Sequence, residues 1–178
     1  MRIQKIFCDP GHGGTDPGAV NARLNLKESD LTLAIAKEFE ARAIATGYEI
    51  AMARRSDDYV SLEARVALAE KFGADLFLSF HINAAENAAA HGYEVWTSIG
   101  ETAADPIAKA ILDQLQKEMP DAVNRGAKES NFYVLRNTTM PAVLIEAGFI
   151  SNDKEALWLC EKSTWDMIAK ATLSAIGE

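Results

Sequence analysis

Hydrophobic positions along the chain switch repeatedly between the continuous or two-residue pattern of strands and the three-to-four-residue pattern of helices. Lys5 to Cys8 is a short apolar strand ending in DPGHGGTDPG, where glycines and prolines preclude regular structure and mark a loop. Leu31, Ala34, Ile35, Glu38, Phe39 and Arg42 recur at helical spacing, and the helix ends before Gly47. Asn25 and Glu28 stand where the cap and third residue of a capping box would be. Tyr48 to Ala53 is a second strand, and Leu62, Val66, Ala69 and Phe72 mark a helix opened by Ser61 and closed by Gly73.

Leu76, Phe77, Leu78 and Phe80 form a buried strand running into His81. Tyr93, Val95 and Thr97 alternate with Glu94, Trp96 and Ser98, which predicts a half-exposed strand. Ile107, Ile111, Leu112 and Leu115 define a helix that stops at Pro120, followed by a loop, DAVNRGAKESN, and a strand-like FYVL. Ala156 to Ile176 closes the chain as one long or two short helices. Strands separated by helices predict an α/β fold, a three-layer α/β/α sandwich around a mostly parallel, mixed sheet, with the 93–97 strand as its edge or antiparallel member. The length fits one domain over 1–178.

The stretch AVLIEAGFISN, Ala142 to Asn152, places Glu146 inside an apolar run, where an unpaired charge costs several kcal/mol. Such a carboxylate is a catalytic base, a metal ligand or half of a structural ion pair with an arginine. In open α/β sheets ligands gather beyond the carboxyl ends of the strands. His12, His81 and Glu146 each follow or end an apolar strand, and Glu28 opens the helix returning from the His12 loop. Two imidazoles and a carboxylate match the His2Glu set of catalytic zinc, with a further acid left to deprotonate water. Spacing alone leaves open whether Glu28 or Glu146 binds the metal. Each also has a bland role: His12 as a turn residue, Glu28 as a cap, His81 as a core histidine. His91, in a small-residue loop, is set aside as exposed.

Composition narrows the partners. The 26 acidic against 18 basic residues give a net charge of −8, with the cations scattered singly, which disfavours nucleic acid and anionic membranes as partners. Cys8 and Cys160 lack metal or redox spacing and are expected to be free thiols. No apolar leader or bilayer-length stretch is evident. The chain is therefore expected to be made in the cytoplasm without a signal peptide and to act after release, or to be a catalytic domain cut from a larger secreted protein.

From DPGHGG through SFHINA to PAVLIEAGFISN, the chain resembles the zinc-dependent N-acetylmuramoyl-L-alanine amidases of the type 3 family over nearly its whole length. The resemblance implies that one Zn2+ is bound by His12, Glu28 and His81, that Glu146 is the catalytic glutamate, and that peptidoglycan or muropeptides are the substrate. It implies a structural role for Arg65. Cell-division members carry an inserted blocking helix after the strand matching Tyr93 to Ser98; here only GETAADP stands there, as in the uninhibited form of phage lysins and sporulation enzymes. Asn83 and Arg125, and less so Lys128 and Asn131, lie on loops suited to contact stem-peptide carboxylates. A zinc exopeptidase of similar fold, or a non-catalytic wall-binding module, are the alternatives; the second predicts a missing base or ligand. Oligomeric state is not legible.

Overall fold

The computed structural model describes residues 2–177, and its strands and helices follow one another in the expected alternation. In chain order the elements are β1 (Lys5–Pro10), β2 (Val20–Asn21), β3 (Leu26–Lys27), α1 (Glu28–Ala45), β4 (Glu49–Met52), α2 (Leu62–Phe72) and β5 (Leu76–Asn83). There follow β6 (Tyr93–Ser98), α3 (Asp105–Glu118), β7 (Asn124–Ser130), α4 (Tyr133–Arg136), β8 (Ala142–Phe149), α5 (Asp153–Trp158) and α6 (Lys162–Ile176). Six strands form one sheet in the order β4-β1-β5-β8-β6-β7. The pairs among β4, β1, β5 and β8 are parallel, β6 runs antiparallel to β8, and β7 is parallel to β6.

The sheet has two unequal apolar faces, because side chains alternate along each strand. Ile6, Cys8, Leu78, Phe80, Val143 and Ile145 join the larger core, which also takes in residues of α1, α3 and α6. Phe7, Phe77, Ala142 and Leu144 face the smaller core with Ala69 of α2 and Val134 and Leu135 of α4. Covering both faces gives the three layers expected, and explains why β1, β5 and β8 read as unbroken apolar runs.

Three expectations are corrected. DAVNRGAKESN is not a loop: Asn124–Ser130 is the edge strand β7, bonded to β6 alone. Its polar sequence carries no strand signature because its side chains are mostly solvent-facing and backbone bonds secure it. The strand-like Phe-Tyr-Val-Leu contributes instead to the short helix α4, which buries Val134 and Leu135. The 93–97 strand is the antiparallel member, one of the two places expected for it, but it is not half-exposed, because its Glu94 side is covered as well.

The capping box at Asn25 does not form either. Asn25 adopts a left-handed φ of 53°, the short β3 intervenes, and α1 starts at Glu28 after Lys27, which gives no side-chain cap. Ser61, by contrast, caps α2 by accepting from Ala64 N, and Gly73 closes it with a φ of 68°. The closing segment is two helices, both cysteines are free thiols, and no helix among the described residues is long and apolar enough to cross a membrane.

The Ser61 cap offers a test of local stability. Ser61→Ala leaves the Ala64 N–H without its partner and is expected to destabilise the protein by about 1 kcal/mol in urea denaturation. An unchanged midpoint would show that water replaces the hydroxyl at no cost.

Candidate metal centre

The site arises where the smaller sheet face runs out of apolar residues. Along β5 that face reads Phe77, Ser79, His81; along β8 it reads Leu144, Glu146; along β6 it reads Trp96, Glu94. His81 is the register partner of Glu146 in β5 and β8, and Glu146 is the partner of Glu94 in β6. A histidine and two carboxylates therefore stand abreast on one face, at strand spacings of about 4.8 Å.

Glu28 joins them from the first turn of α1. Its Oε1 lies 2.9 Å from His81 Nδ1 and 3.2 Å from His12 Nε2, and accepts the Ile82 N–H at 3.0 Å. Its Oε2 accepts the Ala19 N–H at 2.9 Å. His12 is turned toward the group by a left-handed φ of 60°. Asp16 holds His12 Nδ1 at 2.8 Å, the carboxylate-behind-histidine arrangement that orients imidazoles at metal sites.

Two buried arginines fix the loop that carries His12. Arg65 donates to Asp9, to Pro10 O and to His12 O, and Arg54 donates to Pro10 O, Gly11 O and Ser29 O. Glycine is required where the loop touches its neighbours. A Cβ on Gly11 would sit 2.3 Å from His81 Cε1, and one on Gly18 would sit 2.6 Å from both Glu28 Oε2 and His12 Cδ2.

Donor atoms of His12, Glu28 and His81 all lie within 4.8 Å of one another. The 2.9 and 3.2 Å separations approach the roughly 3.4 Å edge of a tetrahedron with bonds of about 2.1 Å, and two neutral imidazoles with one carboxylate are a zinc-type donor set. The residues thus fit a single divalent cation. Without one, protons serve as the counter-charge. Burial opposes protonation of His12, but hydrogen bonds to Glu28 and Asp16 outweigh it and raise its pKa to about 9. His81 is raised in the same way despite its burial, chiefly by the Glu28 hydrogen bond. Burial would raise the Glu28 pKa, yet hydrogen bonds from both rings hold it well below the usual carboxylate range.

Glu146 is pushed the other way. Burial raises its pKa to about 7, with His81 opposing and Glu28 and Glu94 reinforcing. Its Oε2 is buried with no hydrogen-bond partner among the described residues. Glu94, also a carboxylate and 2% exposed, stays ionised: burial opposes this, but Lys128 and Arg125 bond to it and lower its pKa.

Of the residues singled out in the sequence, His12, Glu28 and His81 converge and Glu146 stands beside His81. Asn83 and Arg125 are not free side chains on loops. Both lie on strands and both bond Glu94, at 2.7 and 2.9 Å. His91 is exposed, and its ring bonds Ala89 O. Sequence inspection missed Asp16, Arg54 and Glu94. Asp16 is signalled by its place four residues after His12 in the glycine loop, whereas Arg54 and Glu94 gave no local sign. A groove of about 1310 Å³ lined by Asn21, His91, Met119, Glu155 and Trp158 includes neither the three converging residues nor Glu146 and meets the Glu94 cluster at His91, whose carbonyl takes Arg125 Nη1.

Comparison with known proteins matches the N-acetylmuramoyl-L-alanine amidase family over residues 6–178. A sporulation-specific N-acetylmuramoyl-L-alanine amidase of Bacillus subtilis is 40% identical over 98% of this chain, which spans 67% of that protein. The B. subtilis amidase LytC is 35% identical over 94% of this chain, which spans 34% of it. Among solved structures, an N-acetylmuramoyl-L-alanine amidase from Clostridium difficile 630 superposes with a TM-score of 0.94 at 32% identity, covering 99% of this chain and 96% of that one.

The geometry yields two expectations. A carboxyl raised from 4.5 to about 7 adds stability that is full below pH 4.5 and lost as pH rises through 7, a change of about 3 kcal/mol. Glu146→Gln should therefore gain about that much over the parent between pH 4.5 and 8.5 in urea denaturation with chelator present; a pH-independent difference would mean Glu146 is not desolvated. Gly11→Ala should displace His81 and weaken divalent-metal binding at least about tenfold in competition with a chelator, in the range known for changes around metal ligands. Unchanged affinity would mean the ring has room to move.

Proposed function

Because the chain belongs to the N-acetylmuramoyl-L-alanine amidase family, whose members are peptidoglycan hydrolases, we propose that it hydrolyses the amide between N-acetylmuramic acid and the L-alanine of the stem peptide. The observation that carries the reading is the row in which a desolvated carboxylate, Glu146, stands next to His81 of a His2Glu donor set. In this reading His12, Glu28 and His81 hold one zinc ion. When bound, zinc supplies Lewis acidity that polarises the scissile carbonyl and acidifies the attacking water.

The protein's own groups do the rest. Asp16 fixes the His12 ring so that Nε2 faces Glu28, and the backbone N–H groups of Ala19 and Ile82 keep the Glu28 carboxylate in place. Glu146, with a pKa near 7, is partly ionised at neutral pH and has an oxygen that bonds no group among the described residues, able to accept the proton of the attacking water. The same carboxyl then delivers that proton to the leaving amine of L-alanine. A base with an ordinary pKa near 4.5 would take the proton less readily and a fully protonated acid not at all, so the raised value suits both half-steps. Only bends and turns join β6 to α3, so no helix inserted there covers the row.

Muropeptide hydrolysis with product mass analysis tests the assignment. Glu146→Gln is expected to keep one zinc per chain and lose about 10²- to 10⁴-fold in turnover. His81→Ala is expected to lose the metal, and chelator to abolish activity that added zinc restores. Near-parental turnover in the first variant removes Glu146 from the base role. Full metal content in the second overturns the ligand assignment.

A further inference from the structure

Beyond the converging residues, the same row ends in a second charged cluster, of which the mechanism above uses only the field of Glu94 on Glu146. Glu94 is buried, and its Oε2 takes Arg125 Nε at 2.9 Å and Lys128 Nζ, while its Oε1 takes Asn83 Nδ2 at 2.7 Å. Within the hydrogen-bonded trio one anion thus faces two cations; Glu155, a further carboxylate near Arg125, is engaged instead by the Gly92 and Phe149 N–H groups. Neutralising Glu94 needs only one of them, so the cluster keeps a net charge of +1. The surplus is not buried with the carboxylate: the side chains of Arg125 and Lys128 are 35% and 34% exposed against 2% for Glu94.

Both cations are also held from the side. Arg125 lies over the Phe149 ring at 4.9 Å and Lys128 over the Trp96 ring at 5.2 Å. Arg125 spends Nε on Glu94, and its Nη1 reaches only a long 3.4 Å contact with His91 O, so among the described residues the outer edge of the guanidinium keeps donors for a ligand. Long cationic side chains usually lose conformational freedom when they bind an anion; here Glu94 and the aromatic rings have ordered them already.

We propose that Arg125 and Lys128, ordered by the positioning residue Glu94, form a subsite for a carboxylate of the stem peptide. The proposal rests on the amidase reading and adds a specificity to it. Glu146 lies on β8, and β7 is two strands away across β6, a span of about 10 Å. Arg125 and Lys128 reach back over β6 to bond Glu94, the register partner of Glu146, which leaves roughly one strand spacing, about 5 Å, between the cations and Glu146. At no more than about 3.6 Å per extended residue that distance takes one to two residues, so the carboxylate in reach is that of the residue after the L-alanine. A planar carboxylate suits the paired N–H donors of arginine, whereas a carboxamide offers one acceptor and a repelled NH2 group.

The test compares two soluble muropeptides that differ only in whether the carboxyl of the residue after the L-alanine is free or amidated, with steady-state kinetics for the zinc-loaded parent, Arg125→Gln and Lys128→Gln. The parent is expected to favour the free acid about tenfold or more in kcat/KM. Each variant should raise KM for the free acid about tenfold, leave its kcat within about twofold, and leave both constants for the amide nearly unchanged. Equal parental kcat/KM for the two substrates, or variants that slow both alike, overturns the subsite and leaves the amidase reading standing. No hydrolysis of either substrate by the zinc-loaded parent overturns both.

Discussion

The carboxylate of Glu28 is the tie on which the site depends. It accepts N–H groups from two separate segments, Ala19 in the loop after β1 and Ile82 at the end of β5, and contacts both histidine rings. A buried carboxylate without such partners would protonate, because desolvation penalises its charged form. Four partners reverse that preference and keep it an anion at any physiological pH. The start of α1, the glycine loop and the end of β5 are thereby held in mutual register by one charged group. Losing it would leave two imidazoles, their rings 5.0 Å apart, with no carboxylate between them, only Asp16 behind His12 and Glu146 beside His81.

Charge is sorted along the row by environment rather than by residue type. Three glutamates lie within a few strand spacings, two held ionised by different partners and one not. Glu28 is ionised by histidine partners, Glu94 by Lys128 and Arg125, and Glu146 between them has no partner for Oε2 among the described residues and is left with a pKa of about 7. Ionising its two neighbours makes a third negative charge harder to place, so the neighbours help to set Glu146 where proton exchange is easy. Carboxylates whose pKa values are driven apart in this way mark acid–base chemistry better than any one value does.

How much of this could be seen in the sequence follows from what covers each strand. β1, β5 and β8 are buried on both faces, so their apolar runs were plain, and His12, His81 and Glu146 were conspicuous as the polar residues following or interrupting those runs. Glu28 was not separable from a helix cap by position; only the family resemblance distinguished it, and the structure shows why, since the cap at Asn25 never forms. Glu94 was hidden by its own strand. The alternation in Tyr93–Ser98 suggested a solvent side, but β6 is an interior strand whose second face packs under the site, so a residue that looked exposed is buried and paired. β7 was invisible because an edge strand is defined by backbone bonds to a neighbour distant in sequence.

The orientation of His12 has its origin farther still from the chemistry. A non-glycine residue at a φ of 60° is uncommon and is kept there only by surrounding contacts. Those contacts are made by Arg65, on α2, and Arg54, just after β4, which gather the carbonyls of Pro10, Gly11 and His12 onto two guanidiniums. Carbonyls drawn to one side send the His12 side chain to the other, toward Glu28. Each arginine is nearly fully buried, so removing either would strand carbonyls and, for Arg65, the Asp9 carboxylate in a dry interior, a costlier defect than the loss of one surface ion pair. The residues that meet the ligand are therefore few and readable, while the cations that aim them come from segments more than forty residues farther along the chain.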